Sequence, residues 1–342
     1  MSGNPRPRYS FVVPVFNEEA VLPVLLRRLD LSMRDLDGPA EAVLVDDGST
    51  DCSAVVLRET ARSDPRFRYI RLSRNFGHQV AISAGMDAAR GDAVIVMDAD
   101  LQDPPEVVAE MIARWKEGYE VVYGRRLSRE GESRWKTLTA SLFYRLLTRL
   151  SSVDIPRDTG DFRLIDRKVL EAFRAMPERD RFVRGMFAWL GFRQTEVAFH
   201  RLPRLAGETK YPLRKMMRFA LDALTGFSSA PLKLASLAGL ALSVGSLLLI
   251  LYIAYSWLSG RSIQGWTSLM LVVVVLGAVQ MFVLALMGEY IGRLYNEAKQ
   301  RPLYIVQEVA GGRGAAGAKL GYIADATANS DSPGGNGKRP TK

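Results

Sequence analysis

Two uncharged runs near the C-terminus limit what this chain can fold into more than any other feature. No Asp, Glu, Lys or Arg occurs from Leu234 to Gly260 or from Ser262 to Gly288, and Arg261 alone separates the runs. Each run has 27 residues (234 to 260 and 262 to 288). As helix, each would be roughly 40 Å long at about 1.5 Å per residue, enough to cross a hydrocarbon core of about 30 Å. Buried helices of soluble proteins seldom go so long without a charge, so the sequence predicts a transmembrane hairpin.

Basic residues around the hairpin indicate its orientation. Basic residues are frequent before the first span and after the second, whereas the connecting loop has Arg261 alone. They are Lys210, Arg214, Lys215, Arg218 and Lys233 before the first span, and Arg293, Lys299 and Arg301 after the second. The positive-inside rule then predicts a multi-pass protein of the inner (plasma) membrane, with the N-terminal domain and the tail in the cytoplasm. An amphipathic pattern at 213–224 is typical of an interfacial helix on anionic lipid, or of an ordinary packed surface helix.

Charge and the scarcity of two residue types narrow the function classes. The chain has 342 residues and a formal net charge of +9, which suits nucleic acid, anionic lipid and phosphorylated ligands about equally. The hairpin argues against a nucleic-acid binder. Cys52 is the single cysteine, so we expect no disulfide framework and a reducing compartment. With two histidines in the chain, a zinc site built from histidine is not expected.

Strand and helix signals alternate through the first two hundred residues. Short apolar runs predict strands at Ser10–Val15, Ala42–Val45, Phe67–Leu72, Ala93–Met97 and Val121–Tyr123. Amphipathic segments predict helices between them, at Val21–Leu31, Val55–Arg62, Val80–Ala89 and Val107–Trp115. The alternation predicts an α/β fold with a mostly parallel sheet that binds ligands at the carboxyl ends of its strands. No G-x-G-x-x-G or Walker sequence is present, so neither a dinucleotide-binding fold nor a P-loop NTPase is supported.

Acidic and amide side chains directly follow three of the predicted strands. They are Asn17, Glu18 and Glu19 after the first strand, Asp46 and Asp47 after the second, and Asp98, Asp100 and Asp103 after the fourth. Each cluster alone could cap a helix, but three clusters at neighbouring strand ends favour a divalent cation. Oxygen ligands without soft ones point to Mg²⁺ or Mn²⁺, which take one or two carboxylates together with the phosphates of a substrate.

These clusters lie in motifs that resemble a known family. In this order and spacing, VVPVFNEE, VDDGSTD and MDADLQDPPE resemble the family 2 glycosyltransferases of the GT-A (Rossmann-like) fold. The later segments DTGDFRLIDRKV, PERDRFVRG, RLAGETKY and GEYIGRLYNEAKQRPLYIV resemble the polyisoprenyl-phosphate glycosyltransferases. The nearest type is the bacterial undecaprenyl-phosphate glucosyltransferases, and dolichol-phosphate mannose synthase is a more distant relative. The resemblance runs from about Tyr9 to Val306.

The resemblance implies a nucleoside diphosphate sugar bound across the strand ends. The residues carried over by motif for this donor are Pro14, Phe16, Asn17, Glu18, Asp47, Asp98, Ala99, Asp100, Arg204 and Lys210. Among them, Asp47 is implied to hold the base, while Arg204 and Lys210 are implied to close over the diphosphate. The implied metal ligands, for Mg²⁺ or Mn²⁺, are Asp98, Asp100 and Gln102.

The resemblance also implies a site for the phosphate of the acceptor, at Arg126, Lys136 and Ser141. The mannose synthases have a Ser four residues after the basic position, where this chain has Ala140, so Thr139 or Ser141 is expected to take its place. An acceptor that is already a phosphate anion needs little deprotonation. It needs to be brought beside an anionic donor, and cations would offset that repulsion.

The implied catalytic residues are Asp98, Arg126 and Asp161. Asp161 has two interpretations, because it could be a base or acceptor-orienting acid, or a buried acid paired with Arg163 or Arg167. His78 could contact substrate, although a histidine in such a segment is more often a packing residue.

Together these features predict a membrane-bound, inverting hexosyltransferase that acts on undecaprenyl phosphate at the cytoplasmic face, with glucose and UDP favoured by resemblance. We expect a homo-oligomer that binds anionic membrane. The predicted order is a catalytic domain (1–205), an active-site loop with a juxtamembrane helix (206–232), two transmembrane helices (233–291), a cytoplasmic segment (292–310) and a disordered tail (311–342).

Two alternatives stay open. One is a mannose synthase that uses GDP-mannose, and the other is a non-catalytic membrane scaffold with a degenerate transferase domain. A processive polysaccharide synthase would be expected to carry a Q-x-x-R-W segment and more spans, and the sequence has neither.

Overall fold

The computed structural model describes residues 6–127, 159–179, 181–200, 230–259 and 265–312. The strands in these ranges are β1 Tyr9–Val15, β2 Ala40–Asp46, β3 Phe67–Leu72, β4 Ala93–Val96, β5 Val121–Arg126, β6 Thr159–Asp166, β7 Gln194–Phe199 and β8 Val306–Ala310. The α-helices are α1 Leu22–Arg34, α2 Ser53–Ser63, α3 His78–Ala88, α4 Val108–Lys116, α5 Arg167–Ala175, α6 Val183–Trp189, α7 Ala230–Leu258 and α8 Trp266–Ala298. A short 3₁₀ turn, Pro105–Val107, leads into α4.

All these strands form one sheet in the order β7-β5-β6-β4-β1-β2-β3-β8. The neighbouring pairs β4–β1, β1–β2 and β2–β3 are parallel, and so is the pair β5–β7. By contrast, β6 runs antiparallel to β4 and β5, and β8 runs antiparallel to β3. The α/β class is as predicted, but the prediction of a mostly parallel sheet needs correction to a mixed sheet. The difference comes from β6 and β8, whose segments the apolar pattern left unassigned.

Helices cover both faces of the sheet, and the side chains of the central strands alternate between them. Phe11 and Val13 pack in one core with α1, α2 and α4, whereas Val12 packs in the other with α3, α5 and α6. Every residue of β1 is buried. A strand that is covered on both faces reads as a continuous apolar run, which explains why the central strands were predictable from sequence.

Two long helices lie between β7 and β8 in the chain and contact each other. Their large apolar side chains are exposed, for example Leu247 at 58% and Val274 at 65%. Within the described residues, the segment Val272–Ala298 is long and apolar enough to cross a membrane, with a mean hydropathy of 2.2 and no buried share. This test rests on length and composition, and among the described residues it selects part of α8 alone. The two-span hairpin therefore stays a proposal.

The chain returns from α8 to the sheet, where β8 pairs with β3 so that Val309 lies opposite Ile70. Glu308 accepts two hydrogen bonds from Arg58 on α2, at 2.6 and 2.7 Å. The hydroxyl of Tyr304, just before β8, donates to Asp87 at the end of α3, at 2.9 Å. Within the predicted C-terminal segment (292–310), Val306–Ala310 thus belongs to the sheet, and the contacts around it tie the end of α8 to the sheet.

A double-mutant cycle on Arg58 and Glu308 should measure this tie. The pair is bidentate but about a quarter to a third exposed, so solvent screens it, and we expect a coupling free energy of about 1 kcal/mol. Arg58→Met, Glu308→Gln and the double variant would be compared by thermal unfolding of the detergent-solubilised chain. Strictly additive effects would show that the ion pair contributes nothing to holding β8.

Candidate functional site

The loops that follow β1 and β2 are bonded to each other at the carboxyl edge of the sheet. The backbone N–H of Asn17 donates to Ser49 Oγ at 3.0 Å, and Asn17 Oδ1 accepts from the N–H of Thr50 at 2.8 Å. Asn17 has a φ of 55°, a left-handed conformation that Asn tolerates better than most residues. The N–H of Glu18 donates to Ser53 Oγ at 3.0 Å. The first two predicted clusters therefore lie side by side.

Within this double loop the predicted donor residues differ in accessibility. Pro14 is buried within β1, whereas the ring of Phe16 is 44% exposed. Asp47 is buried, and its two carboxylate oxygens accept from the backbone N–H groups of Phe76 and Gly77, at 2.7 and 2.9 Å. Burial raises the pKa of Asp47 despite these bonds. In this structure Asp47 holds the turn before α3, and its predicted contact with a base stays a prediction.

The third cluster follows β4 and has two unusual features. Leu101 adopts a φ of 57° although it is not glycine and its side chain is buried. Gln102 is 3% exposed, and its Oε1 has no hydrogen-bond partner among the described residues. Asp100 Oδ1 accepts from the N–H of Gln102 at 3.1 Å, which tightens the turn. A left-handed leucine and a buried acceptor without a bond each cost about 1–3 kcal/mol, so folding alone does not explain this turn.

These residues fit the predicted divalent cation. Among the described residues, no three His, Cys, Asp or Glu side chains lie together as a complete protein-built metal site. The predicted set is smaller, with the two carboxylates of Asp98 and Asp100 and the carboxamide oxygen of Gln102. Mg²⁺ and Mn²⁺ accept such a partial set of oxygens when substrate phosphates complete it. The unbonded Gln102 Oε1 is the kind of atom that such an ion would satisfy.

His78 connects the third cluster to Asp161. Its Nε2 lies 3.3 Å from Asp98 Oδ1 and 3.3 Å from Asp161 Oδ2. Asp161, on β6, is 3% exposed and also accepts from Gln79 Nε2 at 3.0 Å and from Arg184 Nε at 2.8 Å. Asp161 is therefore a buried acid, as one of the two interpretations held, but its carboxylate partners are His78, Gln79 and Arg184.

The charges of this network follow from its contacts. Burial alone would lower the pKa of His78, but the carboxylates of Asp161 and Asp98, each with an oxygen 3.3 Å from Nε2, outweigh it and raise that pKa to about 10. Burial alone would raise the pKa of Asp161, but the contact with His78 and the Arg184 charge hold that pKa well below its usual value. At neutral pH an imidazolium thus lies between two carboxylates. A carboxylate with so low a pKa is a weak proton acceptor.

Arg126, at the end of β5, points its guanidinium toward the same region. Its Nη2 lies 3.7 Å from the buried carboxylate of Asp103. A side chain on Gly160 would push against this arginine, because a Cβ at that position would lie 2.5 Å from Arg126 Nη2 and the guanidinium would have to shift. In the T-G-D stretch of β6, Gly160 therefore leaves space for the guanidinium of Arg126. The next residue, Asp161, contacts His78.

The structure brings some of the predicted residues together and leaves others out of view. Contacts and loop hydrogen bonds link the predicted site residues that lie on or directly after β1, β2, β4, β5 and β6. Four other predicted site residues lie outside the described part of the chain, namely Lys136, Ser141, Arg204 and Lys210. Sequence reasoning missed Gln79 and Arg184 and left His78 undecided. Arg184 lies in PERDRFVRG, one of the segments that carry the family resemblance, and this was the available signal for it. His78 and Gln79 lie in NFGHQ, outside those segments.

Comparisons with known proteins agree with the fold. The family model described as "Glycosyl transferase family 2" matches residues 10–174. The "Uncharacterized glycosyltransferase YkcC" of Bacillus subtilis is 50% identical over 89% of this chain and 94% of its own length. The "Bactoprenol glucosyl transferase" of Shigella phage SfV is 38% identical over 88% of this chain and 98% of its own length.

Similar solved structures are more remote. Glucosyl-3-phosphoglycerate synthase from Mycobacterium tuberculosis, crystallised with phosphoglyceric acid, is 19% identical, with a TM-score of 0.42 over 64% of this chain and 78% of that one. A likeness at that level carries no information on the substrate.

Proposed function

The chain belongs to glycosyltransferase family 2 and has its GT-A fold, and we propose that it transfers glucose from a nucleoside diphosphate donor, UDP-glucose in the first instance, to a polyprenyl phosphate. The observation that carries the proposal is the extent of its likeness to the phage bactoprenol glucosyl transferase. That likeness spans 301 residues, more than the catalytic domain contains, so it includes the long apolar helices. Both the transfer chemistry and the attachment to lipid are thereby supported.

The donor would bind across the two bonded loops and the turn after β4. The exposed ring of Phe16 offers a stacking surface for the base, next to Asn17 and Glu18. Its diphosphate would extend toward Asp98 and Asp100. Asp98, Asp100 and Gln102 would hold the cation there, and a bound Mg²⁺ or Mn²⁺ would neutralise charge on the leaving diphosphate.

The acceptor would approach from the membrane side. The exposed leucines and valines of α7 and α8 would be costly in water and suit a hydrocarbon environment. This supports a lipid substrate whose phosphate lies at the membrane surface, beside anionic headgroups. Arg126 would contact that phosphate, and Lys136, Ser141, Arg204 and Lys210 stay predicted contributors.

The reaction we propose is one in-line displacement with inversion. A phosphate oxygen of the lipid forms a bond to the anomeric carbon of the sugar while the bond from that carbon to the diphosphate oxygen breaks. The nucleoside diphosphate leaves with the electron pair. A phosphate monoester has a second pKa of about 6, so at neutral pH the nucleophile is ionised and needs no strong base. The low pKa of Asp161 accords with that, and leaves this side chain to position other groups.

Transfer by the purified full-length chain tests the proposal. The enzyme in lipid nanodiscs would be given undecaprenyl phosphate and a panel of radiolabelled sugar nucleotides that includes UDP-glucose and GDP-mannose. We expect a glucolipid from UDP-glucose, and its loss in EDTA with recovery by Mn²⁺. A mannolipid from GDP-mannose alone would select the mannose synthase alternative. No labelled lipid from any donor would favour the non-catalytic scaffold.

The proposed two-span topology predicts accessibility on opposite sides of the membrane. In a Cys52→Ser background, single cysteines would replace Ser63 on α2 and Ser259 between the long helices, both exposed. A membrane-impermeant maleimide applied to sealed inverted vesicles should label Ser63→Cys at once and Ser259→Cys after permeabilisation. Labelling of both from the same side would contradict the hairpin.

A further inference from the structure

We propose that His78 is a positioning residue that links the donor-side carboxylate Asp98 to the buried carboxylate Asp161 and so holds Asp98 in place for the donor diphosphate and its cation. The inference rests on the proposed function. One imidazole nitrogen, Nε2, lies 3.3 Å from an oxygen of each carboxylate. It therefore bridges a side chain of the β4 turn and a side chain of β6.

The backbone around His78 is held independently of the bridge. His78 is the first residue of α3 and follows Gly77, which has a φ of 102°. Asp47 accepts from the N–H groups of Phe76 and Gly77. The carboxyl end of β2 therefore sets where α3 begins, and the imidazole starts from a fixed position.

The far end of the bridge is also fixed. Asp161 is 3% exposed, and Arg184 Nε and Gln79 Nε2 donate to its two oxygens, at 2.8 and 3.0 Å. Gln79 Oε1 in turn accepts from the N–H of Val183 at 3.1 Å. The carboxylate of Asp161 is thus held by α3 and α6 and has little freedom to turn.

The near end is less constrained, because Asp98 Oδ1 accepts no hydrogen bond among the described residues and its contact with His78 is an ion pair. The side chain of Asp98 is 22% exposed and lies in the turn that contains Leu101 and Gln102, where an acceptor is unbonded among the described residues. A carboxylate that is partly exposed to water has several rotamers, and its contact with His78 selects one. Outer partners of metal ligands act in this way, and their removal typically costs ten- to a hundredfold in metal affinity or activity.

The test compares His78 with the other histidine of the chain. His200 is exposed, and among the described residues no hydrogen bond or ion pair links it to the site, so His200→Ala is a matched control. Mn²⁺ binding to the full-length protein in nanodiscs would be measured by calorimetry in the presence of UDP, and again with GDP. We expect His78→Ala to weaken Mn²⁺ binding ten- to a hundredfold and to lower kcat similarly. The KM for polyprenyl phosphate should stay unchanged.

A conservative variant separates positioning from a loss of fold. His78→Gln keeps a donor that can reach one carboxylate, so it should recover part of the Mn²⁺ affinity. Wild-type Mn²⁺ affinity and kcat in His78→Ala would overturn the proposal, and so would a lower melting temperature with unchanged Mn²⁺ affinity. If the wild type bound Mn²⁺ with UDP but glycosylated no polyprenyl phosphate, the proposed function would fail while the binding comparison still decided the role of His78.

Discussion

Replacing Asp100 by Asn is expected to abolish sugar transfer and leave the fold intact. The substitution keeps Oδ1, which accepts the N–H of Gln102 in the turn after β4, so the local backbone has no reason to change. It removes the negative charge that a divalent cation requires from this ligand. Cations at such sites supply several kcal/mol of charge stabilisation, which corresponds to a loss of about a thousandfold or more in rate.

The matched control for this prediction lies at the opposite end of β4. Asp92 immediately precedes the strand and is exposed, so Asp92→Asn should transfer sugar at the wild-type rate. Both variants would be assayed across a Mn²⁺ titration, and their melting temperatures compared. Transfer by Asp100→Asn within tenfold of wild type at low Mn²⁺ would refute the metal assignment.

Sequence alone predicted the parts of this molecule that depend on local pattern. Strand β1 was predicted at Ser10–Val15 and is found at Tyr9–Val15, because a strand covered on both faces must be apolar throughout. The same logic led to the strand ends, where polar residues interrupt the apolar runs. Asp98 and Asp100 could be named in this way without any knowledge of their surroundings.

The remainder depended on contacts between distant segments, which no local pattern reports. Strand β8 is short and only partly buried, and it pairs with β3 more than two hundred residues earlier in the chain. Arg163 and Arg167 were the expected partners of Asp161 because they are near in sequence. In the structure Arg163 donates to the backbone oxygens of Gly160 and Asp161, and Arg167 donates to those of Ala89 and Gly91.

Replacing Asp161 by Asn is expected to destabilise the catalytic domain as well as to impair transfer. The variant leaves the cations His78 and Arg184 without their buried counter-charge. Breaking a buried pair in this way typically costs 3–5 kcal/mol, which for a domain of this size corresponds to a fall of roughly 6–20 °C in Tm. Since the folded-state pKa of Asp161 is lowered, its contribution is present above about pH 4 and is lost as the pH falls further. The stability difference between wild type and variant should therefore narrow below pH 4.

Further variants provide the controls for this last prediction. Asp92 is exposed, and its ion pair with Arg6, at 3.8 Å, joins two largely exposed side chains; because such surface pairs contribute about 0–1 kcal/mol, Asp92→Asn should change stability by less than about 1 kcal/mol. The double variant Asp161→Asn with Arg184→Met removes one stranded cation and should regain part of the lost stability, since residues in one network are not additive. Thermal unfolding of the wild type, the control, Asp161→Asn, Arg184→Met and the double variant in the same detergent provides the comparison. Two results would show that the buried carboxylate is not the centre that holds β6, α3 and α6 around the site. One is a melting temperature of Asp161→Asn equal to that of the wild type at pH 7, and the other is a stability change in the double variant equal to the sum of the changes in the two single variants.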